Sequence, residues 1–314
     1  MKFSLPIHSN LELLENFPLS LPLLRELVIQ SGPRQNFVYT DTLPLGSAST
    51  PALRILELTG VWVPWTLPLY RGLVHLRVQL YPGPSISLSL QTFRDVLVGC
   101  PELESLHLYG VLFDADTKLS AVAATPPISL PRLQTLDFQA WKVSSTLCHY
   151  AALVMGTIAS VPPTAMLSIE CSTDTDVFRF ASLGTASGIL SFSNGRAIRT
   201  DPEMHYLLGR LPSVHSLSLR WSGCNDRNFL LLMLNGLNMQ RLETLTTMGV
   251  PVSIFAGVLK RRGVGALKIL RMGSLLSGDE RERDAEEMAR YREETERGTA
   301  FLKELVAEVD VASV

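Results

Sequence analysis

The sequence predicts an α/β solenoid, in which short parallel strands form a concave sheet and helices and loops cover the convex side. Three observations predict it. Leucine is in large excess, at 54 of 314 residues. The pattern Leu-x-x-Leu-x-Leu recurs along almost the whole chain, and prolines stand in phase with it. Repeats that can bury their apolar face only against their neighbours are typical of stacked, one-dimensional cores.

About ten irregular units of the pattern follow one another. Their first positions lie 20 to 31 residues apart and average 27, close to the about 20 to 29 residues of leucine-rich repeats. In six units a proline stands two residues before the first position. Its fixed φ and missing amide hydrogen suit a corner before a strand. Chance matches in a leucine-rich chain would not keep these prolines in phase. The first positions are Leu24, Leu53, Leu73, Leu103, Leu133, Thr164, Ser187, Val214, Leu242 and Leu267.

Helical segments are expected between the strands. A capping box with proline in the first turn opens one at Thr200, and helical periodicity marks the others. The unit of only twenty residues has no room for a helix, so its Trp62 and Trp65 are expected to cover the core from an extended crossover. Polar stretches at 36–50 and 81–89 read as surface loops. The expected helices are 91–98, 146–158, 204–208, 229–237 and 252–260.

Three parts are expected along the chain: an N-terminal cap at 1–20, the solenoid at 21–276, and a charged capping helix at 277–314. From Asp279 to Arg297, 14 of 19 residues are charged. An open solenoid end requires a polar cap. We prefer this interpretation to an acidic interaction tail because the charges are of mixed sign and compatible with a helix. Apolar residues return late, at Phe301, Leu302, Leu305, Val306 and Val309.

Composition narrows the function classes. The 28 basic and 30 acidic residues give a net charge of −2, which argues against nucleic-acid or anionic-membrane binding. No apolar run approaches the roughly 20 residues that span a bilayer, and no secretory leader is recognised. We therefore expect an intracellular protein, in the cytoplasm or nucleus. No metal or cofactor motif is found. Free thiols are expected for Cys100, Cys148, Cys171 and Cys224, because their spacing matches no metal motif.

Two units carry a family resemblance. Residues 100–108, CPELESLHL, and 130–138, LPRLQTLDF, resemble the repeats of F-box leucine-rich-repeat proteins, especially the irregular ones of mushroom-forming fungi. The resemblance covers about residues 20 to 275 and implies a ribonuclease-inhibitor-like horseshoe. In that family an F-box docks on the Skp1 adaptor of a cullin ubiquitin ligase, and the repeats hold the substrate. An F-box does not fit before the first repeat here, so we expect Skp1 and cullin as partners only of a longer form.

The outward strand positions are the candidate binding site. Because side chains alternate along a strand, the residues between the inward pattern positions should line the concave face in two rows. The first row is Val28, Glu57, Arg77, His107, Asp137, Ser168, Ser191, Ser218, Thr246 and Arg271. The second is Gln30, Thr59, Gln79, Tyr109, Gln139, Glu170, Ser193 and Arg220. Glu57 is expected to face Arg77, and His107 to face Asp137.

A protein ligand is expected on this face, with candidate contacts at Glu57, Arg77, Gln79, His107, Tyr109, Asp137, Gln139, Glu170 and Arg220. Amides, a phenol and isolated charges on a sheet suit recognition of a polypeptide. The alternative is that any repeat protein needs a polar exposed face, whose ion pairs each contribute only about 0 to 1 kcal/mol.

Catalysis is not expected. His107 with Asp137 could orient an imidazole, and Ser105 or Cys100 could be a nucleophile, but these residue types meet by chance on neighbouring strands and imply no oxyanion site. The sequence therefore predicts a monomeric, non-catalytic recognition module without cofactor or metal, similar to the substrate-binding repeats of an F-box receptor. The alternative is a free-standing repeat scaffold or inhibitor unrelated to ubiquitin.

Overall fold

The computed structural model shows an α/β fold with a mostly parallel sheet. Among the described residues, no helix has both the length and the apolar character needed to cross a membrane. The chain divides into two compact units, Met1–Val143 with His149–Ile169 and Ser144–Cys148 with Glu170–Val314. The structure describes residues 2–7, 21–31, 37–38, 50–81, 87–114, 117–141, 149–159, 166–172, 176–182, 187–194, 202–211, 214–222, 241–248, 252–262, 267–273 and 285–311.

The first unit contains the first six positions of the repeat pattern, from Leu24 to Thr164. Its strands are β1 (Lys2–Ile7), β2 (Glu26–Ser31), β3 (Phe37–Val38), β4 (Ile55–Thr59), β5 (Val61–Trp62), β6 (His75–Gln79), β7 (Ser87–Leu88), β8 (Ser105–Tyr109), β9 (Leu112–Phe113), β10 (Thr135–Trp141) and the start of β11 (Met166–Ser172). Its helices are α1 (Leu90–Val98), α2 (Leu119–Ala123) and α3 (His149–Thr157). Strands β1, β2, β4, β6, β8 and β10 pair in this order, all parallel.

The corner before β2, β4, β8 and β10 is a tight turn with proline at its second position. The amide of Leu53 donates to the carbonyl of Thr50 at 3.0 Å, and that of Leu103 donates to Cys100 at 3.1 Å. Proline at this position has the φ that the turn requires. The proline corner expected from the sequence is confirmed at these strands. The inward leucines that follow lie side by side at 0 to 1% exposure: Leu27, Leu56, Leu76, Leu106 and Leu136.

The repeat of only twenty residues, 53–72, contains no α-helix, as expected. Its crossover carries β5 and a single 3-10 turn at Pro68–Tyr70. Trp65 stacks on Tyr70 with ring centroids 5.1 Å apart, and both tryptophans are buried. Strand β5 pairs with β3, so part of the 36–50 segment expected as a loop is a short strand. Strand β7 likewise lies in the segment 81–89 and pairs with β9.

The second unit contains β12 (Asp176–Ser182), β13 (Ser187–Asn194), β14 (Ser216–Ser222), β15 (Thr244–Met248), β16 (Ile269–Gly273) and β17 (Glu308–Val311). Its helices are α4 (Pro202–Arg210), α5 (Val252–Arg262) and α6 (Ala285–Leu305). Strands β13 to β17 pair in sequence order and are parallel. Strand β12 is antiparallel to β13, and this hairpin was not expected from the repeat pattern.

The expected register of β13, the second strand of this hairpin, against β14 was wrong. Ser191 was expected beside Ser218, but the structure pairs Ser191 with Arg220 and Ile189 with Ser218. Because side chains alternate with a period of two, a slip of two residues leaves the same residues on the same face, and the pattern alone does not detect it. The inward position opposite Leu217 is taken by Gly188. The other expected pairs of this unit, from β14 to β16, are confirmed.

Four expected helices are confirmed with shifted ends: α1, α3, α4 and α5. The segment 229–237 lies outside the described residues. The charged C-terminal helix is present as α6, but it ends at Leu305. Val309 belongs to β17, where it pairs with Leu270, because two-residue alternation of valine with acidic residues suits a strand better than a helix. Strand β1 lies within the expected N-terminal cap.

Candidate functional site: a polar face on the first unit

The two expected rows of outward residues are confirmed in the first unit. Glu57 pairs with Arg77, Arg77 with His107, and His107 with Asp137 across β4, β6, β8 and β10. The second row follows the same register two residues later. Neighbouring strands lie about 4.8 Å apart, so each outward side chain can reach the next. We call the following residues the polar face: Glu57, Arg77, Gln79, His107, Tyr109, Asp137 and Gln139.

Tyr109 is the centre of a hydrogen-bonded group on this face. Its hydroxyl donates to Oδ2 of Asp137 at 2.5 Å and lies 3.3 Å from Nδ1 of His107. His107 Nε2 lies 2.7 Å from the hydroxyl of Ser105. The imidazole and phenol rings also stack, with centroids 6.1 Å apart. Four side chains from two strands are therefore held in one arrangement.

The donor count decides one of the imidazole contacts. The tyrosine hydroxyl has one proton, which it gives to Asp137, so its oxygen can only accept from Nδ1 of His107. The hydroxyl of Ser105 can donate or accept, so it satisfies Nε2 of His107 in either role.

Burial and hydrogen bonding set the protonation of the central pair. Burial raises the pKa of Tyr109, and its hydrogen bond to the negative carboxylate of Asp137 raises it further. Burial alone would raise the pKa of Asp137, but the interactions with His107, Tyr109 and Ser168 outweigh it and lower that pKa below its usual value. At neutral pH the phenol is a donor and the carboxylate is charged. The second oxygen of Asp137, Oδ1, is buried and has no hydrogen-bond partner among the described residues.

Arg77 faces Glu57 across β4 and β6, as expected, but its guanidinium is directed elsewhere. It lies 5.4 Å from the ring centroid of Tyr109, and Nη2 donates to the side-chain oxygen of Gln79 at 3.2 Å. A cation over an aromatic face contributes about 0.5 to 1 kcal/mol at an exposed site. Arg77 therefore extends the group around Tyr109 onto a third strand.

A cleft of about 220 Å³ opens beside this group, where the strands begin. Its lining includes three members of the polar face, Glu57, Arg77 and His107. The other polar lining residues are Glu26, His75 and Ser105, which occupy the outward position two residues earlier. We call this space the cleft. The sequence rows omitted this earlier position, although the two-residue alternation extends to it.

Among the described residues, the remaining candidate side chains form no hydrogen bond or ion pair with this group. Gln139 is half-buried on β10, where it pairs in register with Tyr109. Glu170 belongs to the second unit, where it accepts from Nε and Nη2 of Arg179 at 2.9 and 2.6 Å. Arg179 was missed because it stands on the unexpected strand β12. Arg220 is exposed on β14, beside Ser191.

The geometry around His107 resembles a catalytic group only in part. Nδ1 of His107 lies 3.8 Å from Oδ2 of Asp137, with the Tyr109 hydroxyl between them. Backbone amides of β8 are engaged in the ladders with β6 and β10, so they do not form an oxyanion site. Cys100 is buried and donates to the carbonyl of Tyr70, and burial raises the pKa of its thiol. Within the described ranges, no group of three or more His, Cys, Asp or Glu side chains could hold a metal ion.

Comparisons with protein-family models, curated proteins and solved structures find no match to this chain.

Proposed function

We propose that this protein is a non-catalytic protein–protein recognition module, built as a leucine-rich-repeat solenoid of about ten irregular units. Parallel strands in chain order, repeated proline corners and leucines in register support this architecture. The observation that carries the function is the group formed by Arg77, His107, Tyr109 and Asp137 on three neighbouring strands.

Preorganisation makes this group suitable for binding a protein. Each mobile side chain that binding immobilises costs about 0.5 to 1.5 kcal/mol. Here Tyr109 and Asp137 are already held by a hydrogen bond of 2.5 Å, and Arg77 is held over the ring. Tyrosine and arginine are also enriched among the residues that dominate binding energy at interfaces. The polar face therefore offers anchors that need little further ordering.

A role in the ubiquitin pathway is also proposed, and it rests only on the resemblance of the repeats to those of F-box leucine-rich-repeat proteins. In this version the protein holds the substrate of an F-box-type ubiquitin ligase in the cytoplasm or nucleus. Skp1 and cullin then associate with a form that carries an F-box. Binding assays with purified Skp1 separate this version from a free-standing scaffold, since a scaffold has no reason to bind Skp1 in any form.

Affinity capture with matched variants tests the recognition function. We expect at least one protein retained by the wild-type chain to be reduced at least about tenfold with Arg77→Ala, because truncation of a central anchor typically costs about 2 kcal/mol or more and about 1.4 kcal/mol is a factor of ten. Arg132→Ala is the control, since this exposed arginine forms an ion pair with exposed Glu102 in a turn. Quantitative mass spectrometry of the retained proteins provides the measurement. Identical retained sets for both variants would contradict the proposal.

A further inference from the structure

We propose that the cleft receives a lysine or arginine side chain of the bound protein, with the Glu57 carboxylate as its acceptor. This inference rests on the proposed recognition function and specifies the chemistry of the partner. It is carried by three features: a carboxylate without an ion pair among the described residues, a cleft of side-chain size, and an apolar outward side chain, Ile55, beside the polar groups.

The carboxylate of Glu57 is half-buried and lacks a cation. Among the residues that the structure describes, none forms an ion pair or side-chain hydrogen bond with it. Its register neighbour Arg77 is directed to Gln79 and Tyr109 instead. A partner that covers this carboxylate without supplying a donor would leave a desolvated charge unpaired, which is strongly unfavourable. The occupant must therefore present a hydrogen-bond donor, and a cation satisfies this requirement best.

The charges that line the cleft also favour a cation as the occupant. Among the described residues, Glu57 has no ion pair, and the guanidinium of Arg77 is engaged with Gln79 and Tyr109. An acidic side chain would face the Glu57 carboxylate at close range, which disfavours it. The cleft therefore selects for a basic side chain and against an acidic one.

The size of the cleft suits one side chain. Its volume of about 220 Å³ is below the roughly 300 to 1,000 Å³ typical of sites for small molecules and cofactors. Ile55, half-buried at an outward position of β4, lines it alongside the polar groups. Lysine and arginine carry an apolar stem behind a charged head, and such stems pack along apolar surface while the head remains solvated or paired. The stem would contact Ile55, and the head would reach Glu57.

Selection from a random dodecapeptide library displayed on phage tests the inference with the whole chain as bait. Peptides that bind the wild-type protein should be enriched in lysine or arginine at one position. A synthetic copy of the best peptide should bind Glu57→Gln about tenfold more weakly, because a charge-assisted hydrogen bond is lost. Replacement of the peptide's basic residue by norleucine should produce the same loss with the wild-type protein and no further loss with Glu57→Gln.

Glu102→Gln is the matched control, since it makes the same change of charge outside the cleft, in an exposed ion pair with Arg132. Binding should be unchanged in it. Selection on Glu57→Lys should lose the preference for basic residues.

Two further outcomes separate this inference from the function on which it rests. Selected peptides that lack a basic position, and that weaken with Arg77→Ala but bind Glu57→Gln normally, would overturn the inference and leave the recognition function standing. Peptides that bind Arg77→Ala, Glu57→Gln and the wild-type protein equally would overturn both.

Discussion

At the scale of single residues, burial and neighbouring side chains set the protonation states of Tyr109 and Asp137. The phenol is a donor because burial and the adjacent carboxylate raise its pKa, and the carboxylate is charged because its partners lower its own pKa against the effect of burial. These protonation states give the polar face a defined donor at Tyr109 and a defined acceptor at Asp137. It also links the stability of the fold to pH.

We predict a pH-dependent stability difference between the wild-type protein and Asp137→Asn. A carboxyl group whose folded-state pKa is lowered stabilises the fold fully above its unfolded pKa of about 3.9. That contribution is lost as pH falls through the lower folded-state value. The wild-type protein should therefore be the more stable one at neutral pH, and the difference should shrink below about pH 4. Urea unfolding at a series of pH values measures it; a difference that stays constant down to acidic pH would contradict the assignment.

Residue-scale contacts were only partly predictable. Alternation and strand order sufficed to place Arg77 beside Glu57. They did not predict that the guanidinium would lie over Tyr109 and bond Gln79, because a long side chain can reach partners in several directions and the choice depends on their three-dimensional positions. Ser105 was considered only as a nucleophile, and its contact with His107 was not predicted, for the same reason.

At the scale of elements, the turn after β8 fixes the end of the strand that carries Tyr109. Gly110 has φ of +69°, a left-handed conformation that residues with a Cβ adopt at a cost. A Cβ at this position would lie 2.6 Å from the carbonyl oxygen of Leu80. The amide of Gly110 donates to the carbonyl of Gln139 at 2.8 Å, so this turn also ties β8 to β10.

We predict that Gly110→Ala destabilises the protein by more than about 1 kcal/mol, because both the backbone conformation and the space are incompatible with a Cβ. Gly209→Ala is the matched control. It lies in α4 with nothing within 4 Å of the added Cβ, so it should be neutral or stabilising by up to about 1 kcal/mol. Thermal and urea unfolding of the two variants provide the comparison. Equal effects at both glycines would show that the turn geometry does not matter.

Elements whose signals are local were predicted well. Proline corners, capping residues and helical periodicity act within a few residues, so α1, α4 and α5 could be read from the sequence. The β12–β13 hairpin was not, because its strand pairing depends on contacts outside the repeat pattern. The shift of Ser191 by one outward position has the same origin.

At the scale of the whole molecule, apolar burial is organised as rows of leucines across parallel strands. Leu106 is fully buried between Leu76 and Leu136. In an architecture where each repeat packs mainly on the neighbouring repeats, the destabilisation caused by a substitution in one strand should remain local. The two compact units provide the frame in which this can be measured.

We predict that Leu106→Ala costs about 2 to 5 kcal/mol by creating a cavity and that the loss is confined to one unit. Hydrogen exchange followed by mass spectrometry should show faster exchange in β6, β8 and β10, with exchange in β14 to β16 unchanged. Val98→Ala is the control, because this side chain is 64% exposed. It should change exchange in neither set of strands. Uniform acceleration throughout both units would mean that the chain unfolds as a single cooperative body.

The sequence by itself determined the class of fold, the parallel strands with their proline corners, and the two outward rows of the first unit. These follow from local turn chemistry and from the two-residue alternation of a strand, which act within a few residues and need no knowledge of distant contacts. Only the tertiary structure decided how the side chains of neighbouring strands combine. The direction of Arg77, the donors and acceptors around Tyr109, the opening of the cleft and the register of β13 depend on atoms that are far apart in the chain and meet only when the sheet forms.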